Sequence, residues 1–275
     1  MPTVTPRTDL VPIAPVMGRW HRVRFWVATA AIGLAVLAPL FYMMAALGTR
    51  VGLWGVGTGL GTLSRDIGPK LLMAAIAVGL AALLLGVFLR PRRRRAIVAG
   101  AAAVAVGLAG IAYGMSVRAT ADRLPFIHDI TTDTQDPPVF GEAVVAARGA
   151  DANTLDYVGK RDAREDKLVS VLQTRDYPEI RPLVTERSPE VAYARAKDVA
   201  RDLGWEIVEE NPVEGRFDAT ATTFWYGFRD DVAVRVRPGA GGGSVVDVRS
   251  VSRVGASDLG ANAERVGAFL AAFGD

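Results

Sequence analysis

Few residues in this 275-residue chain are equipped for chemistry. His128 directly precedes Asp129, and a carboxylate that orients an imidazole is the usual start of general-base catalysis. Ser250, Ser252 and Ser257 could supply a hydroxyl nucleophile. Adjacent residues of an extended segment point apart, however, and no Gly-x-Ser-x-Gly elbow occurs. His128 and Asp129 are therefore the only candidate catalytic pair, and a histidine packed against the domain near Trp225 or Tyr226 is the competing reading. Asp129, Asp133 and Asp136 are spaced like the start of a calcium loop. The glycine and bidentate glutamate of such a loop are missing, and Pro137 and Pro138 follow at once. Asp230-Asp231 is equally short of partners, so neither a metal nor a cofactor is expected. With no cysteine, the chain excludes disulfides, thiolate catalysis and zinc–thiolate or iron–sulfur sites.

Binding candidates are more numerous. Trp225, Tyr226 and Phe228 cluster around Gly227, where two strands meet. Such a tip can dip into a membrane interface, stack on a ligand or cover the open end of a core. Thr220 and Thr222 share a strand face and could hydrogen-bond a ligand. If Val232, Val234 and Val236 point to the core, Asp231, Arg235 and Arg237 point away from it. By the same parity Asp247, Arg249, Val251 and Arg253 oppose Val246 and Val248. Asp258, Asn262 and Arg265 share one side of a helix. These residues read either as a solvated ladder of charges or as a recognition surface for a polar partner.

The elements that position them are legible from residue 188 onward. Ser188-Pro189-Glu190 opens a helix whose apolar face is Ala192, Ala196, Val199 and Leu203, and Gly204 ends it. Strands are expected over 205–210, 216–225, 231–237 and 244–252, with turns at 211–215 and 238–243. Ser257 is placed as the cap of a last helix with Leu259, Ala263, Val266, Leu270 and Phe273 inward. This order predicts an α+β domain: a four-strand antiparallel meander with helices packed on one face. Upstream, 124–138 reads as an extended segment, 139–148 as a short helix and 167–174 as a short helix or strand.

The first 117 residues differ in composition. They hold 12 Lys+Arg and only Asp9 and Asp66 as acids, whereas the remainder holds 20 basic and 27 acidic residues. The pI near 9.4 is thus no sign of nucleic-acid binding. Three uncharged apolar runs, 25–47, 71–89 and 96–117, are each long enough to cross a bilayer core of about 30 Å. Basic residues at 7, 19, 22 and 24 and at 90–95 predict a cytoplasmic N-terminus and a cytoplasmic turn between spans two and three. The organisation expected is a cytoplasmic segment 1–24, a three-helix region 25–117 and a periplasmic domain 118–275 of a bacterial inner-membrane protein. Ala75, Gly79, Ala82 and Gly86 on span two, and Ala103, Gly107, Gly110 and Gly114 on span three, form small-residue stripes. Such stripes suit a helical hairpin or an oligomer. No acid, base or histidine lies within a span, which speaks against an ion path. The uncharged segment 51–64 reads as an interfacial or re-entrant loop with Trp54 at the headgroups.

The runs HDITTDTQDPPVF (128–140), YPEI (177–180), GWEIV (204–208), ATATTFWYGFRDDVAVRV (219–236) and VDVRSVSRVGASDLGANAERV (246–266) resemble the domain-of-unknown-function family 1499. That family occurs in bacterial envelope and plastid proteins. The resemblance covers residues 122–273, and the three-span leader looks like that of some bacterial members. The family carries no established activity, so the resemblance implies a domain boundary but no mechanism. The function expected is an anchored, non-catalytic binding or scaffold module of the envelope. Its partner would be a protein, a lipid headgroup or a glycan. An envelope hydrolase or transferase using His128, and a subunit of a transport complex, are the alternatives.

Overall fold

The computed structural model describes residues 18–274. Arg7, part of the expected cytoplasmic segment, lies outside the described residues. The described residues form two compact units, one of residues 18–42 and 64–112, the other of residues 43–63 and 113–274.

Helices α1 (Arg19–Arg50), α2 (Gly68–Phe88) and α3 (Arg94–Arg123) are the three apolar elements. Each is long and apolar enough to cross a membrane. Of the segment 51–64, expected to be a loop, only residues 51–55 are a turn. A π-helical stretch, Gly57–Ile67, runs directly into α2 and extends that span to Gly57–Phe88.

Within the first unit the stripes of α2 and α3 face each other. A Cβ on Gly79 would lie 2.9 Å from the Gly100 carbonyl oxygen and 3.0 Å from Ala103 Cβ. One on Gly107 would lie 2.9 Å from the Leu72 carbonyl oxygen. Gly114 lies past this contact, with nothing within 4 Å. Ala31 of α1 joins Ala82, Ala99 and Ala103 in one buried cluster. Arg24 ties α1 to the α2–α3 turn, donating to the carbonyls of Leu89 (2.9 Å) and Pro91 (2.8 Å).

The second unit carries an antiparallel sheet. Its strands are β1 (Asp129–Thr131), β2 (Leu183–Thr185), β3 (Glu206–Asn211), β4 (Arg216–Thr222), β5 (Arg229–Pro238) and β6 (Ser244–Ser252). The order is β1-β6-β5-β4-β3, with β2 also paired to β6. The expected meander is present, and two strands are added along the free edge of β6. Both are three residues long, too short for a period-two pattern to announce them. Gln173 helps to hold β1, because its side-chain amide accepts from Thr131 N (3.0 Å) and donates to Thr131 O (2.6 Å) like one more strand residue.

Short helices α4 (Glu142–Ala147) and α5 (Val169–Asp176) precede α6 (Pro189–Asp202) and α7 (Ala261–Gly274). Helices α6 and α7 pack on one sheet face, burying Ala192, Ala196, Val199 and Ala200 together with Val266, Phe269 and Phe273 against Phe217, Val232, Val234, Val246 and Val248. Trp205 stacks on Phe269 at 5.4 Å. Two inner-face assignments differ from the sequence reading. Leu203 is the exposed residue that caps the end of α6, with Ala200 buried on its inner face, and on α7 the buried position falls to Phe269 while Leu259 is exposed. Leu259 precedes the helix at φ 56°.

Candidate functional site

The second face of the sheet carries the expected charges, but its carboxylates are buried rather than solvated. The segment 129–157 lies over them, and each acid meets an arginine. Asp129 and Arg249 form a two-point pair (3.0 and 2.8 Å), both fully buried. Arg249 also donates to the carbonyls of Pro138 (3.2 Å) and Leu155 (2.6 Å). Asp231 accepts from Arg148 (2.5 Å), Arg253 (2.7 Å) and Thr220 (3.0 Å). Asp247 accepts from Arg235 (3.1 Å) and Arg237 (2.7 Å). A lone charge would cost several kcal/mol in this setting, so mutual pairing is the condition of burial. Solvation was the natural expectation from β5 and β6 alone, because the cover comes from a segment a hundred residues upstream.

The serines and the last helix form a separate network on the helix side. Asn262 is buried and donates to His128 O (3.0 Å) and Ser252 Oγ (2.9 Å), while Ser250 Oγ donates to it (2.6 Å). Arg265 reaches Ser250 Oγ (3.0 Å) and Asp230 (2.6 Å). Asp258, not Ser257, is the main cap of α7, accepting from Gly260 N (2.9 Å) and Asn262 N (2.8 Å). Burial raises the pKa of the Asp258 carboxyl.

The His128 ring makes its hydrogen bonds to neither these hydroxyls nor the aromatic tip. Its Nδ1 is 3.1 Å from the Ala256 carbonyl oxygen, and its Nε2 is 3.0 Å from Lys160 Nζ. A carbonyl only accepts, so Nδ1 carries the proton and Nε2 accepts from the ammonium. Burial and the Lys160 charge both push the imidazole pKa down. Burial also lowers Lys160, with Asp129 opposing. Asp129 is turned to Arg249 and lies 4.0 Å from Lys160, so it does not orient the imidazole. A cavity of about 80 Å³ adjoins this corner, lined by Phe126, His128, Lys160, Asp162 and Val169 among others. Asp162 is buried there. Its Oδ2 accepts from Arg164 N (3.0 Å) and Glu165 N (2.6 Å), and its Oδ1 has no partner among the described residues.

The three aspartates of the loop-like spacing do not converge on one point. Asp129 meets Arg249, while Asp133 and Asp136 share Arg235 and Arg237, their shortest contacts being Asp133–Arg237 (3.3 Å) and Asp136–Arg235 (3.0 Å). Among the described residues no group of three His, Asp or Glu side chains is placed to hold a metal ion.

The tip between β4 and β5 is the outward-facing candidate. Phe224 and Trp225 are 66% and 50% exposed and meet edge to face at 5.2 Å. Tyr226 and Phe228 stack at 5.6 Å. Thr222, next to the tip, is exposed, whereas Thr220 is buried against Asp231. The last turns of α1 belong to the same compact unit. Arg50 there donates to the carbonyls of Thr223 (2.7 Å) and Phe224 (2.8 Å). Arg50, Arg148, Lys160 and Asp162 escaped the sequence reading. Arg50, Arg148 and Lys160 act across a long sequence separation, which only a co-varying alignment could have signalled, and Asp162 is held by its own turn.

Comparison with known proteins follows the same division. A family model described as a protein of unknown function (DUF1499) matches residues 129–273, more than half of the chain, and the chain belongs to that family. No curated protein matches it.

Proposed function

We propose that this DUF1499 protein is a non-catalytic binding module anchored in the bacterial cytoplasmic membrane. Its N-terminus and the arginine-rich turn at 90–95 face the cytoplasm, and residues 118–275 form the periplasmic domain. One observation carries the reading: the chemistry-bearing side chains are spent on one another, while the aromatic tip points outward. Both ring nitrogens of His128 have partners, Ser250 and Ser252 are engaged by Asn262, and the buried Asp129, Asp231 and Asp247 are matched to arginines. Phe224 and Trp225 remain exposed. Tethering concentrates such a surface at the membrane and strengthens weak contacts without adding new ones. A hydrolase would require Lys160 to vacate His128 Nε2.

The test is a mass-spectrometric census of what co-purifies with the detergent-solubilised full-length protein, compared with Trp225→Ser and His128→Ala. A stoichiometric lipid, glycan or protein retained by His128→Ala and lost from Trp225→Ser supports the reading. A complement unchanged in Trp225→Ser, or lost only in His128→Ala, overturns it.

A further inference from the structure

The tip is unusual in how its backbone is sealed. Arg50 ends a helix long and apolar enough to span a membrane, and its Nη1 donates to both Thr223 O and Phe224 O. Its guanidinium lies 5.5 Å from the centre of the Phe224 ring. Thr223 N donates to Phe228 O (2.9 Å), and Phe228 N donates to Thr223 Oγ1 (2.9 Å). Gly227, at φ +67°, lets the tip lie close to Arg50, since a Cβ there would come within 3.2 Å of Arg50 Cα. Unpaired carbonyls oppose the sinking of a loop toward hydrocarbon, and two of the tip's carbonyls are taken up by a cation.

The surroundings are apolar as well. Residues 51–64 and 223–228 contain no charged side chain. Val51 and Leu53, immediately after Arg50, are 69% and 71% exposed, like Phe224 and Trp225 on the other side of the clasp. Trp54 folds back and donates its indole N–H to Ala45 O (3.1 Å). Four large exposed apolar side chains thus surround one arginine at the end of a span. Aromatic rings at headgroup depth, with an arginine reaching up to the phosphates, are what a membrane–water interface selects.

We propose that the 223–228 tip inserts into the bilayer interface beside the first span, with Arg50 as the latch that holds it there. The partner of this surface is the anchoring membrane itself, and Phe224 and Trp225 are the inserting side chains. This deepens the binding-module reading by naming the partner of its tip. The domain is then held against the membrane at the tip as well as through the spans, which restricts its swing.

The experiment uses the full-length protein in phosphatidylcholine vesicles brominated either near the headgroups or near the acyl-chain ends. The Trp225 contribution is the difference in fluorescence between the wild type and Trp225→Phe. Insertion predicts that this difference is quenched at least twofold by the shallow bromines and little by the deep ones. Arg50→Gln should lower the shallow quenching at least threefold with an unchanged far-ultraviolet spectrum. A Trp225 signal untouched by bromolipid and fully accessible to iodide overturns the insertion. Shallow quenching that survives intact in Arg50→Gln overturns the latch. If that variant is misfolded, Arg50→Lys, which keeps the charge but loses the two-carbonyl fork, replaces it. A partner captured through Trp225 without bromolipid quenching would leave the binding module standing and remove only its lipid partner.

Discussion

Asp129 and Arg249 lie on paired strands, 120 residues apart in sequence, and close a two-point ion pair in which neither side chain reaches solvent. Phe140 and Tyr157 flank the guanidinium, with ring centres at 5.1 and 5.6 Å. Removing one partner of a buried pair leaves the other charge uncompensated, at about 3–5 kcal/mol. Arg249→Ala should therefore destabilise the domain by that amount, and Arg249→Met paired with Asp129→Leu by much less. Denaturant unfolding of the full-length protein in detergent checks this. Equal losses in the single and double variants would mean that the carbonyl contacts, not the ion pair, hold the segment.

Asp218 gives the domain an acid-sensitive term. It is buried, Oδ2 accepts from Gly141 N (2.8 Å), and Oδ1 has no partner among the described residues. Burial pushes its carboxyl up to about 6, with the Gly141 bond and Arg216 opposing. A pKa raised in the folded state means that folding takes up a proton between about pH 4 and pH 6. Stability from this group therefore falls as pH rises through that window, and above it the ionised form carries the full cost. Asp218→Asn should remove this dependence and be more stable at pH 7.5 by on the order of 2 kcal/mol. A wild-type-minus-variant stability difference that is flat from pH 4 to 7 would refute it.

His128 works in the opposite sense. Its pKa is held below the usual histidine value by burial and by Lys160, so the unfolded chain takes up the proton first. The stability it contributes is present at pH 8 and is lost as pH falls through about 6.5 toward the lower folded value. His128→Gln should cost about 1 kcal/mol at pH 8, for the lost hydrogen bonds, and should lose less on acidification. Thermal melts of both proteins from pH 8 to 5 decide the matter. Parallel curves would show that the imidazole does not titrate differently on folding.

Gly79 tests the hairpin of α2 and α3. Its absent side chain is what lets the Gly100 carbonyl approach, and a leucine has no room beside Ala103. Gly79→Leu should destabilise the helical unit by about 1–3 kcal/mol, as overpacking does. Gly114→Leu, where nothing lies within 4 Å, should be neutral. Protease sensitivity of the spans in detergent distinguishes the two, and equal sensitivity would remove the stripe's role.

Much of this architecture was legible locally. Uncharged length determines the three spans, because the cost of a buried charge acts residue by residue. Small residues four and three apart determine which faces of α2 and α3 meet. Alternating valines determine β5 and β6 and the side on which their charges stand, since the pleat has period two. Strands β1 and β2 were not legible, being too short to show a pattern.

The fate of the charged face was decided only by the tertiary structure. Asp247 meets Arg235 and Arg237 of the neighbouring strand, and Asp231 meets Arg253, but whether these pairs face water or are covered depends on where residues 129–157 lie, which no local period records. The same holds for His128, whose ring nitrogens are taken by Ala256 and Lys160 rather than by a serine. It holds again for Arg50, which closes on carbonyls 173 and 174 residues away. Secondary structure and membrane propensity arise from neighbours along the chain, so the sequence by itself determined them. Pairing between distant polar groups depends on the folded path, and at this protein's sites that path decides which side chains remain free to act.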